Sequence, residues 1–491
     1  MIPRRRLATA VLLAIVAVAA LSIRLSHPPL HTDEITYMSG VLESMVQGTV
    51  FPVYGNGALF FNKPPLALWM MRLSFEVLGP SPFAARLPSV LAAAATAAVL
   101  YLFGAAAFGD GVGILAALAF LLAPGPLVLH GLRSATPDAL EILLVTSAIV
   151  ALEAWRRRRR PWMLAGLVAL VGATAWVKSP FALAVFVVYL LATELPARRA
   201  GRGTPRLLVT LALAAGVWTA AWFLWLGVLS ADSSPRQVVK TLLVQQYAKR
   251  IEGQVGKTAG PGYYLRTTAR DFGPLLLLPI AAGALAFRRG WRPSRQHAAD
   301  MACLAVWALA APVLATASAG KLPWYAYLSY PGIALLVAVS AQAVSERRAV
   351  RAALLAACVL ALAWRIPAGE VWPVEARYRG LTGRLWEIAS RDPEIVVVPG
   401  PHFELPRGRD DGYREARLFI RTLFWKQSRT PPGPDPCRAM LVNRLRDMPR
   451  AEEWDVLELH RPENRRRGSG LWMVDDCNGW LREQLAVYSG P

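Results

Sequence analysis

Apolar stretches of about 20 residues, the length that carries a helix across a bilayer, recur along most of this chain and are divided by short clusters of arginine. Segments of that kind satisfy their backbone polar groups internally and leave their side chains to lipid or to one another. The composition agrees, since 55% of the 491 residues are hydrophobic and the mean hydropathy is +0.35. A net charge of +21 would suit a nucleic-acid binder. The arginines, however, fall between the apolar stretches, where orientation in a membrane explains them better.

Because Lys and Arg collect in cytoplasmic loops, the clusters should alternate with the spans. Arg4 to Arg6 precede a first span at Leu7 to Ile23, and a second and third are expected at Leu87 to Phe103 and Gly111 to Leu129. A fourth, Ala139 to Trp155, ends at Arg156 to Arg160; a fifth and sixth flank Lys178; the next cluster is Arg198 to Arg206. Further spans are expected at Leu207 to Leu229, before Arg288 to Arg295, at Met301 to Ser318, at Ser329 to Val344 and at Ala352 to Trp364. The sum is an α-helical polytopic membrane protein of about eleven spans, with every strong basic cluster on one side. The first apolar segment could also be read as a cleaved signal peptide, although it is long for a signal core.

Residues 1–368 thus read as a transmembrane domain, with residues 24–86 as its first extracytoplasmic loop. After Pro367 the chain becomes charged, with apolar runs at Ile395 to Val398 and Val456 to Leu459 between turn-like segments. Residues 369–491 are expected to form a small soluble α/β domain outside the membrane. Cys437 and Cys477 both lie there, and an oxidising compartment would permit them to pair. No internal repeat is visible.

The first loop is chemically the richest. From Glu34, residues Ile35, Met38, Leu42, Met45 and Val46 recur at helical spacing, as in an amphipathic helix lying in the interface. Asp33 stands at its start, either as a helix cap or as a general base held ionised by the helix N-terminus. Lys63 precedes Pro64-Pro65, which can open a second interfacial helix with Leu66, Trp69, Met70, Leu73 and Val77 on one face. Its plain reading is a snorkelling lysine. Arg133 and Asp138 flank a turn before the fourth span, with Glu141 on the same helix face as Asp138. Arg133 and Asp138 could simply pair, and Lys178 and Lys321 could simply anchor the membrane level. Placed together at one outer level, Lys63, Arg133, Lys178 and Lys321 could instead neutralise a lipid phosphate.

Taken in order, Asp33-Glu34 with Tyr37, Lys63-Pro64-Pro65-Leu66 with Trp69, Ala85-Arg86-Leu87-Pro88-Ser89, Arg133 with Pro137-Asp138, and Lys321-Leu322-Pro323 with Tyr325 resemble the type C glycosyltransferases of the lipid A aminoarabinose transferase and protein O-mannosyltransferase kind. That resemblance implies a sugar donor linked to polyprenyl phosphate, a lipid, glycan or protein acceptor, and a site on the outer face of the inner (plasma) membrane. It implies Asp33 as the base with Glu34 beside it, Lys63 and Arg133 on the lipid phosphate, Tyr37 and Tyr325 on phosphate or sugar, and Arg86, Asp138 and Lys321 as supporting groups. A divalent metal on Asp33 and Glu34 is one option the resemblance opens, whereas the six histidines show no zinc spacing. A flippase of polyprenyl-linked sugars is the alternative, but it would place polar groups near the bilayer midplane. An inactive membrane scaffold is a third reading.

The topology is checked by thiol accessibility. A membrane-impermeant maleimide should label both an Asn56→Cys and a Gly468→Cys protein in intact cells; protection of either rejects this order of spans.

Overall fold

A computed structural model of the chain describes residues 3–26, 32–50, 63–178, 180–231, 257–288 and 294–343, with short pieces elsewhere that include four strands beyond residue 394. It divides into two units. The first comprises Met1–Leu25, Phe61–Met70 and Arg86–Pro373, and the second Ser26–Phe60, Met71–Ala85 and Val374–Pro491.

Helices follow the apolar stretches closely. In chain order they are α1 (Arg4–Ser22), α2 (Thr32–Val46), α3 (Leu66–Leu78), α4 (Pro82–Phe108), α5 (Asp110–Leu121), the short α6 (Pro124–Val128), α7 (Asp138–Arg158), α8 (Pro161–Thr174), α9 (Phe181–Arg199) and α10 (Leu207–Ala231). Then come α11 (Tyr263–Phe272), α12 (Leu277–Arg288), α13 (Arg295–Thr316), a 3-10 helix at Pro323–Ser329 and α14 (Tyr330–Ala343). Among the described residues, seven helical segments are long and apolar enough to cross a membrane: Arg4–Ser22, Pro82–Phe108, Phe181–Arg199, Leu207–Leu229, Tyr263–Arg288, Arg295–Thr316 and Pro323–Ala343. Two shorter apolar helices, α5 and α8, accompany them. The chain is a multi-pass membrane protein.

One expected span is divided. The stretch Gly111 to Leu129 does not form one helix, because α5 ends at Leu121, Ala123 is extended, and Pro124 opens α6 as its first residue. Proline has no N–H to continue a helical ladder but fits a first turn. The expected span at Ala139 to Trp155 lies within α7, which carries charge at both ends and buries most of one face in the first unit. Within the expected span at Ala352 to Trp364, the described residues 352–353, 356–357, 359–360 and 363–364 are helical.

Close helix contacts in this unit use small residues. At Gly113 of α5 a Cβ would overlap backbone atoms of Tyr101 and Ala105 in α4, so only glycine allows that approach. Packing also joins α7 to α8, α8 to α10, α9 to α13, and α14 to both α5 and α13.

The basic end of the unit is locked by a buried network. Arg156 donates to Glu153 Oε1 at 2.7 Å, Thr193 Oγ1 at 2.9 Å, Thr204 Oγ1 at 2.9 Å and Glu194 Oε2 at 3.3 Å. The Thr204 backbone N–H in turn donates to the Glu194 carboxylate. Arg157 and Arg202 both reach Asp300 of α13, at 3.3 and 2.8 Å. The clusters 156–160 and 198–206 and the start of α13 therefore share one end, as the alternation of basic loops required.

The second unit contains α2, the last two turns of α3, and a small hairpin of β1 (Tyr54–Gly55) and β2 (Ala58–Leu59). A short antiparallel pair, β3 (Lys257–Thr258) with β4 (Gly320–Lys321), belongs to the first unit, and the four-stranded sheet of the second has the order β5 (Ile395–Pro399), β6 (Cys437–Val442), β8 (Leu471–Asp475), β7 (Asp455–His460). β5 and β6 are parallel and the other pairs antiparallel. The two apolar runs expected as strands, Ile395 to Val398 and Val456 to Leu459, lie in β5 and β7. Cys477 lies outside the described residues.

Removing Arg156 should leave the buried Glu153 carboxylate without its cation and Glu194 with Arg198 alone, a loss of about 3–5 kcal/mol. Arg156→Leu is expected to lower the unfolding midpoint of the detergent-purified protein sharply. An unchanged midpoint would show that the network does not hold this end together.

Candidate functional site

The opposite end of the first unit is built on a tight loop between α6 and α7. Leu129 N–H donates to Gly125 O at 2.9 Å, Leu132 N–H to Pro126 O at 2.6 Å, and Gly131 N–H to Ser134 Oγ at 2.8 Å. His130 adopts a left-handed conformation, φ +49°, which costs a non-glycine residue about 1–3 kcal/mol. A Cβ at the following Gly131 would overlap the Pro126 carbonyl, so the chain can pass here only as glycine. The loop delivers Asp138 at the first position of α7 and Glu141 one turn later.

Lys178 comes from the turn between α8 and α9 to meet them. Its Nζ lies 2.5 Å from Asp138 Oδ1 and 3.5 Å from Glu141 Oε2, with all three side chains buried. Glu141 Oε1 has no hydrogen-bond partner among the described residues. His130 Nδ1 is 3.8 Å from Asp138 Oδ2, and the His130 ring stacks on Trp324 with centroids 3.9 Å apart and planes 19° apart. Tyr325 follows; its ring is 5.5 Å from Lys178 Nζ and 5.3 Å from the Phe181 ring. The Lys63-Pro64-Pro65 turn is tied to the same loop, because Leu66 N–H donates to Trp176 O at 2.8 Å and Trp69 packs edge-on against Trp176. Lys63 is close enough to Glu141 for their charges to interact.

Burial alone would depress the Lys178 amine, but the charges of Asp138 and Glu141 more than reverse it and hold it well above its ordinary value. A folded-state value above the unfolded one stabilises the protein below the unfolded value, about 10.4, and that stability is lost only as pH rises through the folded value.

The other expected cations are engaged differently. Arg133 donates from Nε to Leu21 O at 2.9 Å and from Nη2 to Ile23 O at 2.6 Å, while Arg86 donates to Leu25 O at 2.8 Å. Both therefore serve the carbonyls at the end of α1, where cations complement the helix dipole. Burial, and then the charge of Arg86, bring Arg133 down to about 10. The structural pairing considered for Asp138 is realised with Lys178 rather than Arg133. Lys321 donates to Thr316 O at 2.7 Å and to Ser318 O, and lies over the Tyr264 ring at 5.9 Å.

Asp33, Glu34 and Tyr37 belong to the second unit. The helix begins at Thr32, so Asp33 and Glu34 occupy its first turn rather than its cap. Glu34 and Tyr37 are buried, and Asp33 is part-exposed. Among the described residues no group of three or more His, Cys, Asp or Glu side chains could hold a metal ion.

Two features were not foreseen. His130 carries no periodicity and is signalled only by the His-Gly pair in a turn. Asp271, fully buried at the end of α11, accepts from Tyr330 OH at 2.5 Å and from Arg270 Nε at 3.2 Å. Gly125 backs against its carboxylate, where a Cβ would overlap it.

Removing Lys178 strands two buried carboxylates. Lys178→Met should cost about 3–5 kcal/mol in detergent unfolding experiments, and the unfolding midpoint of the unaltered protein should show no loss assignable to this lysine between pH 6 and pH 9. Equal stability of Lys178→Met would show that the pair is not what holds this turn.

Residues 62–225 match the family profile described as dolichyl-phosphate-mannose-protein mannosyltransferase. Among solved structures, ArnT from Cupriavidus metallidurans bound to undecaprenyl phosphate superposes with a TM-score of 0.62 at 17% identity, covering 99% of each chain. The same protein in its apo state gives 0.62 at 15% identity, covering 98% of this chain and 99% of that one. The Archaeoglobus fulgidus oligosaccharyltransferase tethered with an acceptor peptide gives 0.50 at 12% identity over 79% of this chain and 57% of that one. No curated protein sequence matches. The chain thus shares its fold with that ArnT, and its residues 62–225 carry the pattern of the dolichyl-phosphate-mannose-protein mannosyltransferase profile.

Proposed function

We propose that this protein is an integral membrane glycosyltransferase that takes a sugar from a polyprenyl phosphate and passes it to an acceptor hydroxyl on the extracytoplasmic face. The observation that carries the reading is a coincidence of sequence and geometry. The segment that matches the mannosyltransferase profile holds Lys63, Asp138 and Lys178, the residues that the first unit gathers at one end. The shared fold with an ArnT that binds undecaprenyl phosphate supports it.

The chemistry is a single displacement with inversion. The acceptor oxygen attacks the anomeric carbon as its proton passes to Asp33, a transfer worth typically 10²–10⁴-fold. The bond from the anomeric carbon to the phosphate oxygen breaks, and the electron pair leaves with the polyprenyl phosphate. Charge grows on that phosphate in the transition state, so a cation already in place lowers the barrier. Lys63 takes this part, Arg133 supports it while holding the end of α1, and Lys321 adds positive charge at the same level. Tyr325 and Tyr37 donate to phosphate or sugar; Glu34, Arg86 and Asp138 orient their neighbours.

Membranes containing the protein, supplied with labelled undecaprenyl-phosphate sugars, should move label into glycolipid, polysaccharide or protein. Label that stays on the lipid phosphate with every acceptor refutes the reading. Asp33→Asn preserves the helix start yet cannot accept a proton, so transfer should fall by roughly 10²-fold or more while stability changes by less than about 1 kcal/mol. Full activity in Asp33→Asn with loss in Glu34→Gln would exchange their roles, and full activity in both would remove the carboxylate base. Lys63→Glu should abolish donor use by turning attraction into repulsion; an undiminished rate would remove Lys63 from the phosphate site.

A further inference from the structure

We infer that Trp324 is the platform on which the donor's sugar ring rests, and that His130 is the positioning residue that fixes its plane. The inference rests on the proposed use of a polyprenyl-phosphate sugar and assigns a sugar subsite within it. Trp324 is part-exposed beside the buried Lys178–Asp138 pair. One face of its indole is taken by the His130 imidazole at 3.9 Å and 19°, so the exposure left to it is on the opposite face and the edges. The side chain behind it is held from two directions. Its backbone is kept left-handed by the closed loop of residues 125–136, and its Nδ1 stands 3.8 Å from Asp138 Oδ2.

An aromatic residue that merely marks the membrane interface needs no such brace, since its amphipathic ring settles at headgroup level by itself. Here a strained, buried imidazole defines the orientation of the ring, as a surface of fixed plane requires. The chemistry of that surface suits a pyranose. Its C–H bonds present a weakly positive, apolar face, and the indole presents a negative one. Position also fits, because the sugar is separated from the lipid phosphate by a single oxygen. Tyr325, the next residue, is the one that faces Lys178.

An aromatic contact of this kind is worth a factor of about 2–10 in affinity, which makes the test a comparison of lipids. The purified full chain is titrated with undecaprenyl-phosphate mannose, undecaprenyl-phosphate aminoarabinose and bare undecaprenyl phosphate. The unaltered protein should hold at least one glycosylated lipid about five-fold or more tighter than the bare one. Trp324→Ala should bring that ratio close to one with the bare lipid bound as before, Trp324→Phe should keep most of it, and His130→Ala should lie between. A ratio unchanged in both Trp324 variants overturns the inference, as does an equal loss for bare and glycosylated lipids, which would mark Trp324 as a membrane anchor. Binding of bare lipid with no preference for either glycosylated form also overturns it while leaving the lipid-phosphate reading intact. Failure to bind any of the three defeats the proposed function itself.

Discussion

The Lys178–Asp138 ion pair organises the end of the first unit opposite the Arg156 network. Asp138 opens α7, Lys178 leaves the α8–α9 turn, Glu141 stands one turn along α7, and His130 and Tyr325 bring in the loop after α6 and the 3-10 helix before α14. Separate stretches of sequence are thus held to one point. A buried pair adds little net stability over well-packed apolar groups, because the cost of desolvating both ions offsets their attraction. Breaking it is expensive, since either partner alone is a buried charge. The consequence is fixed position more than strength.

The two ends of this unit treat charge differently. At the basic end Arg156 is enclosed by Glu153 of its own helix, Thr193 and Glu194 of α9 and Thr204 of the loop after α9, with its donors matched to acceptors. At the opposite end Glu141 keeps an oxygen without a hydrogen-bond partner among the described residues, and Lys178 is held between Asp138 and Glu141. A closed network of the first kind locks helices together.

The helices were legible in the sequence because a span must be apolar for its full length and must satisfy its own backbone. α4, α9, α10 and α13 all lie where the hydropathy pattern predicted. The break after α5 was present as Ala-Pro-Gly-Pro but was hidden by the apolar character on both sides of it. Asp138 and Glu141 could be paired from helical spacing alone. Their cation could not be chosen, since Arg133 is five residues from Asp138 along the chain and Lys178 is forty away, and proximity in sequence favoured the wrong partner. His130 was invisible for a related reason. One histidine in a turn carries no pattern, and its importance lies in a ring stacked on a residue from a distant helix.

By itself, the sequence determined that this is a membrane protein, where most of its helices run, and which residue types gather in the loops between them, because these follow from local composition and from the cost of placing backbone and charge in hydrocarbon. Tertiary structure alone decided which charges meet. Arg133 and Arg86 were drawn to the carbonyls ending α1, Lys321 to those ending α13, and Lys178 to Asp138. The physical reason is that a buried cation must take the acceptors its helix packing brings within about 3 Å, and that packing is set by contacts between residues far apart in the chain.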